Sequence, residues 1–245
     1  MRLVLAVLVA LAVCQVANLV TTVWLHRALS HRALTVSKPV TAVFRVVTWV
    51  TTGIRPRQWV AVHRKHHAFT DVAGDPHSPV LLGYARVQLG NVGLYRTAAK
   101  DPAVVARYAR DLPPDRWDRA LLDHALLGLG IGVALLVLIF GWEVALLVSV
   151  VHTVAYLGLS GAVNGVGHTY GTRTYDNLAR NNQWLAWLTA GEGLHNNHHA
   201  APTSARLAHR RGEIDPGWWL VRALSSIGAA RVRHADAKVR VEAAA

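Results

Sequence analysis

The sequence predicts an all-α protein, with helices that cross a membrane and a histidine-rich cap on the cytoplasmic side. Three observations predict it. Apolar residues make up 52% of the 245, and the mean hydropathy is positive, high for a soluble domain. Lys and Arg are missing from Ala120 through Thr172, while fifteen lie between Arg27 and Arg119 and ten between Arg173 and Arg240. That is the positive-inside pattern of a basic cytoplasmic mass interrupted by a membrane hairpin. Eight histidines, finally, sit in three short words: His26-Arg-Ala-Leu-Ser-His31, His63-Arg-Lys-His66-His67 and His195-Asn-Asn-His198-His199.

The elements follow in order. Residues 3–25 form an uncharged apolar run long enough to cross about 30 Å of hydrocarbon. It reads as an uncleaved span with its C-terminal end in the cytoplasm. Cleavage would export His26 and His31, and Arg27, Arg32 and Lys38 oppose translocation. Residues 39–54 are a shorter run that holds Arg45, and they suit a re-entrant or interfacial helix. Residues 121–140 and 144–163 are two further spans, joined so tightly at Gly141-Trp142-Glu143 that they must run antiparallel. Residues 26–119 and 164–245 form the cap, and residues 1–245 read as one domain, multi-pass in the cell membrane. Trp218 and Trp219 look like interface anchors.

Composition also excludes. The formal charge of +12 would suit nucleic acid if it formed a patch on a soluble fold, but its distribution follows the membrane pattern instead. Cys14 is the only cysteine, so there is no disulfide framework, no Cys-based zinc site and no thiolate iron–sulfur site.

Imidazole is the commonest protein ligand for first-row metals. On a helix, residues i, i+3 and i+4 share a face, so His63, His66 and His67 can point one way, as can His195, His198 and His199. His26 and His31 are five apart, about 140° around a regular helix. They cannot both point at one atom from a regular helix, but could straddle a pair of metals or sit where the span ends and unwinds. Asn164 and His168, again i and i+4, lie just past the last span and bring the candidate histidine ligands to nine. Nine suits two ions with positions left for water or oxygen, and Asn164 is well placed to hold such a water.

These words resemble the HxxxxH, HxxHH and HxxHH boxes of integral-membrane fatty-acid desaturases, especially the acyl-CoA delta-9 (stearoyl-CoA) branch. The likeness extends to Trp59 ahead of the second box and to Asp75-Pro-His77-Ser-Pro79 after it. It also includes Asn164 with His168, Gly191-Glu192-Gly193-Leu194 before the third box, and Glu213-Ile-Asp215-Pro-Gly-Trp218-Trp219. The resemblance implies two iron ions held by His26, His31, His63, His66, His67, His168, His195, His198 and His199, with Asn164 contacting one iron through water. It implies O2-dependent introduction of a cis double bond, delta-9 in that branch, into a saturated acyl chain carried as a CoA thioester or a lipid. Electrons would come from a separate donor, a ferredoxin or a flavin/iron–sulfur reductase. Trp59 matches a tryptophan near the substrate tunnel.

Two departures stand out. One span precedes His26 where the family usually has two, and Val23-Trp24-Leu25 replaces a Gly-rich approach to the first box. A histidine-rich di-iron lipid or alkane hydroxylase, or a non-catalytic metal-binding membrane protein, would share the metal logic. The Gly-Glu-Gly-Leu-His-Asn-Asn-His-His word favours desaturation. Among the remaining residues, Glu192 and His77 are candidates to orient ligand imidazoles. His152 is expected to hydrogen-bond a neighbouring helix, and His209 and His234 to be solvated.

Overall fold

A computed structural model describes residues 2–236; the last residues of the expected cap, 237–245, lie outside them. The chain is mostly helical. Helix α1 (Arg2–Val20) continues without a break into a π-helical segment, Thr21–Ser30. Strand β1 (Leu34–Val36) precedes α2 (Lys38–Thr52) and α3 (Pro56–Ala68). Three helices follow: α4 (Pro79–Leu82), α5 (Tyr84–Ala99) and α6 (Pro102–Tyr108). A π turn at Asp118–Leu122 leads to α7 (Ala125–Phe140), and then α8 (Trp142–Gly165) ends in a 3-10 turn, Val166–His168. Short helices α9 (Gln183–Leu188) and α10 (His195–Ala200) precede α11 (Pro216–Ser226) and strand β2 (Ala230–Val232). β2 pairs antiparallel with β1, Leu34 opposite Val232.

Among the described residues, two helical runs are long and apolar enough to cross a membrane, Arg2–Ser30 and Trp142–His168. They lie side by side and point the same way. Ala6 and Ala10 pack on Val144 and Val148, Cys14 and Ala17 on Tyr156, and the Thr21 hydroxyl meets the Tyr156 hydroxyl at 2.9 Å. Small residues on α1 let the backbones approach closely. Arg2 pairs with Glu143 at one end of this pair. The candidate ligands on these runs, His26 and His168, therefore fall at the other end.

The expected span 121–140 begins later in the structure. Asp115 and Asp118 are tied to Arg45 of α2, and the His124 carbonyl accepts from the Trp49 indole at 3.0 Å. Regular helix starts only at Ala125, leaving 16 residues, about 24 Å at 1.5 Å per residue. The run expected to be re-entrant or interfacial forms α2. It packs between α1 and α7, and Gly128 and Gly132 make this possible. A Cβ at Gly132 would collide with the Val50 carbonyl oxygen, and one at Gly128 with the Trp49 ring. Asn164 belongs to the last turn of α8 rather than to a segment beyond it. His152 of α8 does bond a neighbouring helix, its Nε2 lying 2.8 Å from the Thr51 carbonyl of α2. His209 is not free in solvent: it is half-buried, with Nδ1 3.0 Å from the Tyr175 hydroxyl. His234 is exposed, as expected.

Candidate metal centre

Four elements bring the nine histidines together. The π-helical segment solves the five-residue spacing. Its hydrogen bonds run from residue i+5 back to i, so residues five apart stack nearly one above the other. The His31 amide donates to the His26 carbonyl at 3.1 Å, the Ser30 hydroxyl to the Leu25 carbonyl at 2.8 Å, and the His26 and His31 rings lie 4.8 Å apart. Helix α3 carries His63, His66 and His67, α10 carries His195, His198 and His199, and the 3-10 turn after α8 carries His168.

The imidazoles fall into two groups. His26, His31, His63, His67 and His198 form one; His66, His168, His195 and His199 form the other. Within each group the candidate donor atoms lie within 4.8 Å of one another. Each histidine word on α3 and α10 is thus split. Residues four apart, His63 with His67 and His195 with His199, stay together, and the third member crosses to the other group.

The distances suit shared ions. Nε2 atoms approach at 2.8 Å for His31–His63, 2.9 Å for His67–His198, 3.0 Å for His26–His198 and 3.2 Å for His195–His199. Two nitrogens at right angles, each about 2.1 Å from one ion, would be ~3.0 Å apart. His168 Nε2 is buried with no hydrogen-bond partner among the described residues, as an atom aimed at an ion would be. Burial, reinforced by neighbouring imidazoles, pushes His63, His67, His195, His198 and His199 well below the usual imidazole range. They are neutral near pH 7, the form that binds metal.

Three carboxylates stand behind the rings. Glu192 Oε1 is 2.7 Å from His26 Nδ1, Asp75 is 2.9 Å from His66 Nδ1, and Asp71 Oδ2 is 2.8 Å from His168 Nδ1. Burial alone would raise all three carboxyls, but the facing imidazoles and hydrogen bonds outweigh it and hold them below their ordinary range. An ionised carboxylate on Nδ1 keeps the proton there and leaves Nε2 as the free donor. Of the two residues considered for this role in the sequence, Glu192 contacts a histidine of the first box. His77 contacts the His66 ring, with centroids 4.7 Å apart. Burial, and His66 after it, push its imidazole down to about 3, and its Nε2 has no partner among the described residues. Asp71 falls in none of the sequence words, and Asp75 only within the Asp75-Pro-His77-Ser-Pro79 word; neither lies at helical spacing from the histidine it faces. Trp59 stacks on His63, with centroids 5.0 Å apart and planes 10° off parallel.

A buried polar chain locks the first and third boxes together. Arg27 is 1% exposed and makes two bonds to Asp215, at 2.7 and 3.1 Å, as well as one to the Ala205 carbonyl at 2.8 Å. Its Nε donates to the Thr22 hydroxyl at 3.2 Å, and Thr22 in turn donates to Glu192. Six residues are too few for α10 to be stable alone. Asn196 and Asn197, fully buried between its histidines, hold it instead. Asn196 receives the Thr174 and Tyr175 amides at 2.7 and 2.8 Å, and Asn197 donates to the Leu207 carbonyl and to Glu213 at 3.0 and 2.8 Å.

The fatty acid desaturase family profile matches residues 2–213. The chain is 34% identical to an acyl-CoA 5-desaturase of Anemone leveillei over 230 residues, covering 89% of this chain and 68% of that protein. It is 32% identical to an sn-1 stearoyl-lipid 9-desaturase of Synechocystis sp. over 215 residues, 86% of this chain and 65% of that protein. It is 33% identical to Delta-9 acyl-lipid desaturase 1 of Arabidopsis thaliana over 233 residues, 92% and 74% respectively. The chain belongs to the fatty acid desaturase family. It is an oxidoreductase of that class, with histidine clusters able to hold metal.

Proposed function

We propose that the protein is an O2-dependent fatty-acyl desaturase that holds two iron ions, one in each imidazole group, and introduces a cis double bond at delta-9. The division of nine histidines into a group of five and a group of four carries this reading. Iron supplies the O2 activation that removal of hydrogen from an unactivated acyl chain requires and side chains alone cannot provide. The residues do the rest. Nine neutral imidazoles bind without adding charge, and Asp71, Asp75 and Glu192 offset part of the cationic charge while fixing the rings. The smaller group leaves more positions open. Asn164 lies one turn before His168, half-buried in the last turn of α8, where it can hold a water toward that group. Trp59, stacked on His63, flanks the acyl tunnel.

The substrate is an acyl chain on CoA or on a lipid, both of which occur among the names of the relatives. A separate ferredoxin or flavin/iron–sulfur reductase supplies electrons. Residues 1–245 form one membrane desaturase domain in the cell membrane, with α1, α7 and α8 in the bilayer, α2 beside them, and the histidines in a cytoplasmic cap. Apolar side chains exposed along these helices support it: Leu126 is 85% exposed, Leu138 81% and Val154 68%, surface that water would not favour. Expression in a desaturase-deficient host, with a co-expressed reductase and double bonds located by mass spectrometry, tests the proposal. A new delta-9 monounsaturated acid is expected; a hydroxy acid would replace desaturation with hydroxylation.

A further inference from the structure

We infer that Arg206 and Arg222, with Trp218 and Trp219, form a binding site for the phosphate of an anionic membrane phospholipid, apart from the imidazole groups. The inference rests on the membrane reading above. These four side chains, with Glu213 and Asp215, line a cavity of about 270 Å³. Trp218 and Arg222 are four apart on α11, and Arg206 comes from the segment after α10. Both arginines are exposed, and neither has an ion-pair partner among the described residues. The two carboxylates are already engaged. Asp215 is neutralised by Arg27, and Glu213 accepts from Asn197 and from the His209 and Arg210 amides. Arg210 and Arg211 are exposed close by in the chain, so the net charge around the cavity is positive. Guanidinium groups suit phosphate because their planar forks bind it in pairs of hydrogen bonds.

The neighbourhood selects a lipid as the source of that phosphate. Trp219 meets Trp187 of α9 edge to face, with centroids 5.8 Å apart. Trp184 is 82% exposed, Trp219 53% and Leu188 50%. Exposed tryptophans of this kind gather at the headgroup level of a bilayer. The Leu188 carbonyl accepts from Gln15 and Asn18 of α1, each at 3.0 Å. This fixes α9 against the histidine-bearing half of the N-terminal span and satisfies two polar side chains in an otherwise apolar run. Arginines beside such a belt meet anionic headgroups.

The test uses full-length, metal-loaded protein in nanodiscs of phosphatidylcholine mixed with phosphatidylglycerol, then native mass spectrometry of the lipid that stays bound. Wild type should retain phosphatidylglycerol over phosphatidylcholine by roughly tenfold or more. The R206Q/R222Q variant should lose that preference, and R206K/R222K should recover part of it. Unchanged iron content and melting temperature in the variants establish that the fold is intact. An equal preference in R206Q/R222Q overturns the proposal. So does displacement of the lipid by free CoA or inorganic phosphate at matching concentration, which would assign the site to a soluble phosphate. Failure of wild type to enter the bilayer would break the membrane reading instead.

Discussion

The five-imidazole group and the four-imidazole group share two helices, α3 and α10, yet they are supported differently. The larger group draws its extra rings from the π-helical end of α1 and has one carboxylate behind it, Glu192 on His26. The smaller group draws its extra ring from the end of α8 and has two, Asp75 on His66 and Asp71 on His168. Fewer imidazoles are accompanied by more negative charge close behind them. A divalent ion with four neutral ligands has more charge left uncompensated by ligand donation than one with five, and two carboxylates at hydrogen-bond distance from its ligands offset it. The groups also differ in anchorage. Glu192 belongs to the buried chain through Thr22 and Arg27 to Asp215, whereas Asp71 and Asp75 are held by local contacts, Ser78 to Asp71 at 2.6 Å and the Asp71 amide to Asp75 at 2.9 Å.

The largest test removes the shared scaffold of both groups. Replacing His63, His66, His195 or His199 by Ala should abolish product, read by mass spectrometry of total fatty acids, while membrane insertion persists. Several such variants with full activity would end the metal assignment. Next comes the anchor of the larger group. Arg27→Ala leaves Asp215 buried without its partner and should cost about 3–5 kcal/mol, seen as early melting of the purified protein. Melting alongside wild type would show that the ion pair does not hold the first and third boxes together.

The carboxylates separate the groups. Asp71→Asn and Glu192→Gln should each lower metal affinity or activity by about 10–100-fold. Metal analysis should find close to one iron per chain in each variant and little in the double variant, the two singles losing different ions by Mössbauer spectroscopy. Loss of both ions in each single variant would mean that the groups bind as one unit. The smallest effect is expected at Asn164. Its replacement by Ala should slow turnover by less than about tenfold and leave iron content unchanged. An iron loss matching that of Asp71→Asn would make Asn164 a direct ligand.

The sequence by itself determined a great deal here. Apolar runs and the Lys and Arg gap marked the long helices, because a long apolar helix is written into composition. The histidine words marked the site, because i, i+3 and i+4 share a helix face wherever the helix sits. The five-residue gap between His26 and His31 left two readings open, a straddled pair of metals or an unwound helix end, and a π-helical segment instead puts both rings in one group.

Tertiary structure decided which group each ring joins. His66 and His67 are adjacent in sequence but fall into different groups, since that depends on where α10 and the end of α8 are docked. It also decided that Asp71 faces His168, 97 residues away, and that Asp215 neutralises Arg27, 188 residues away. No periodicity records such pairs. They exist because buried charges and imidazole N–H groups must find partners once water is excluded, and only the packed chain determines which partners are within reach.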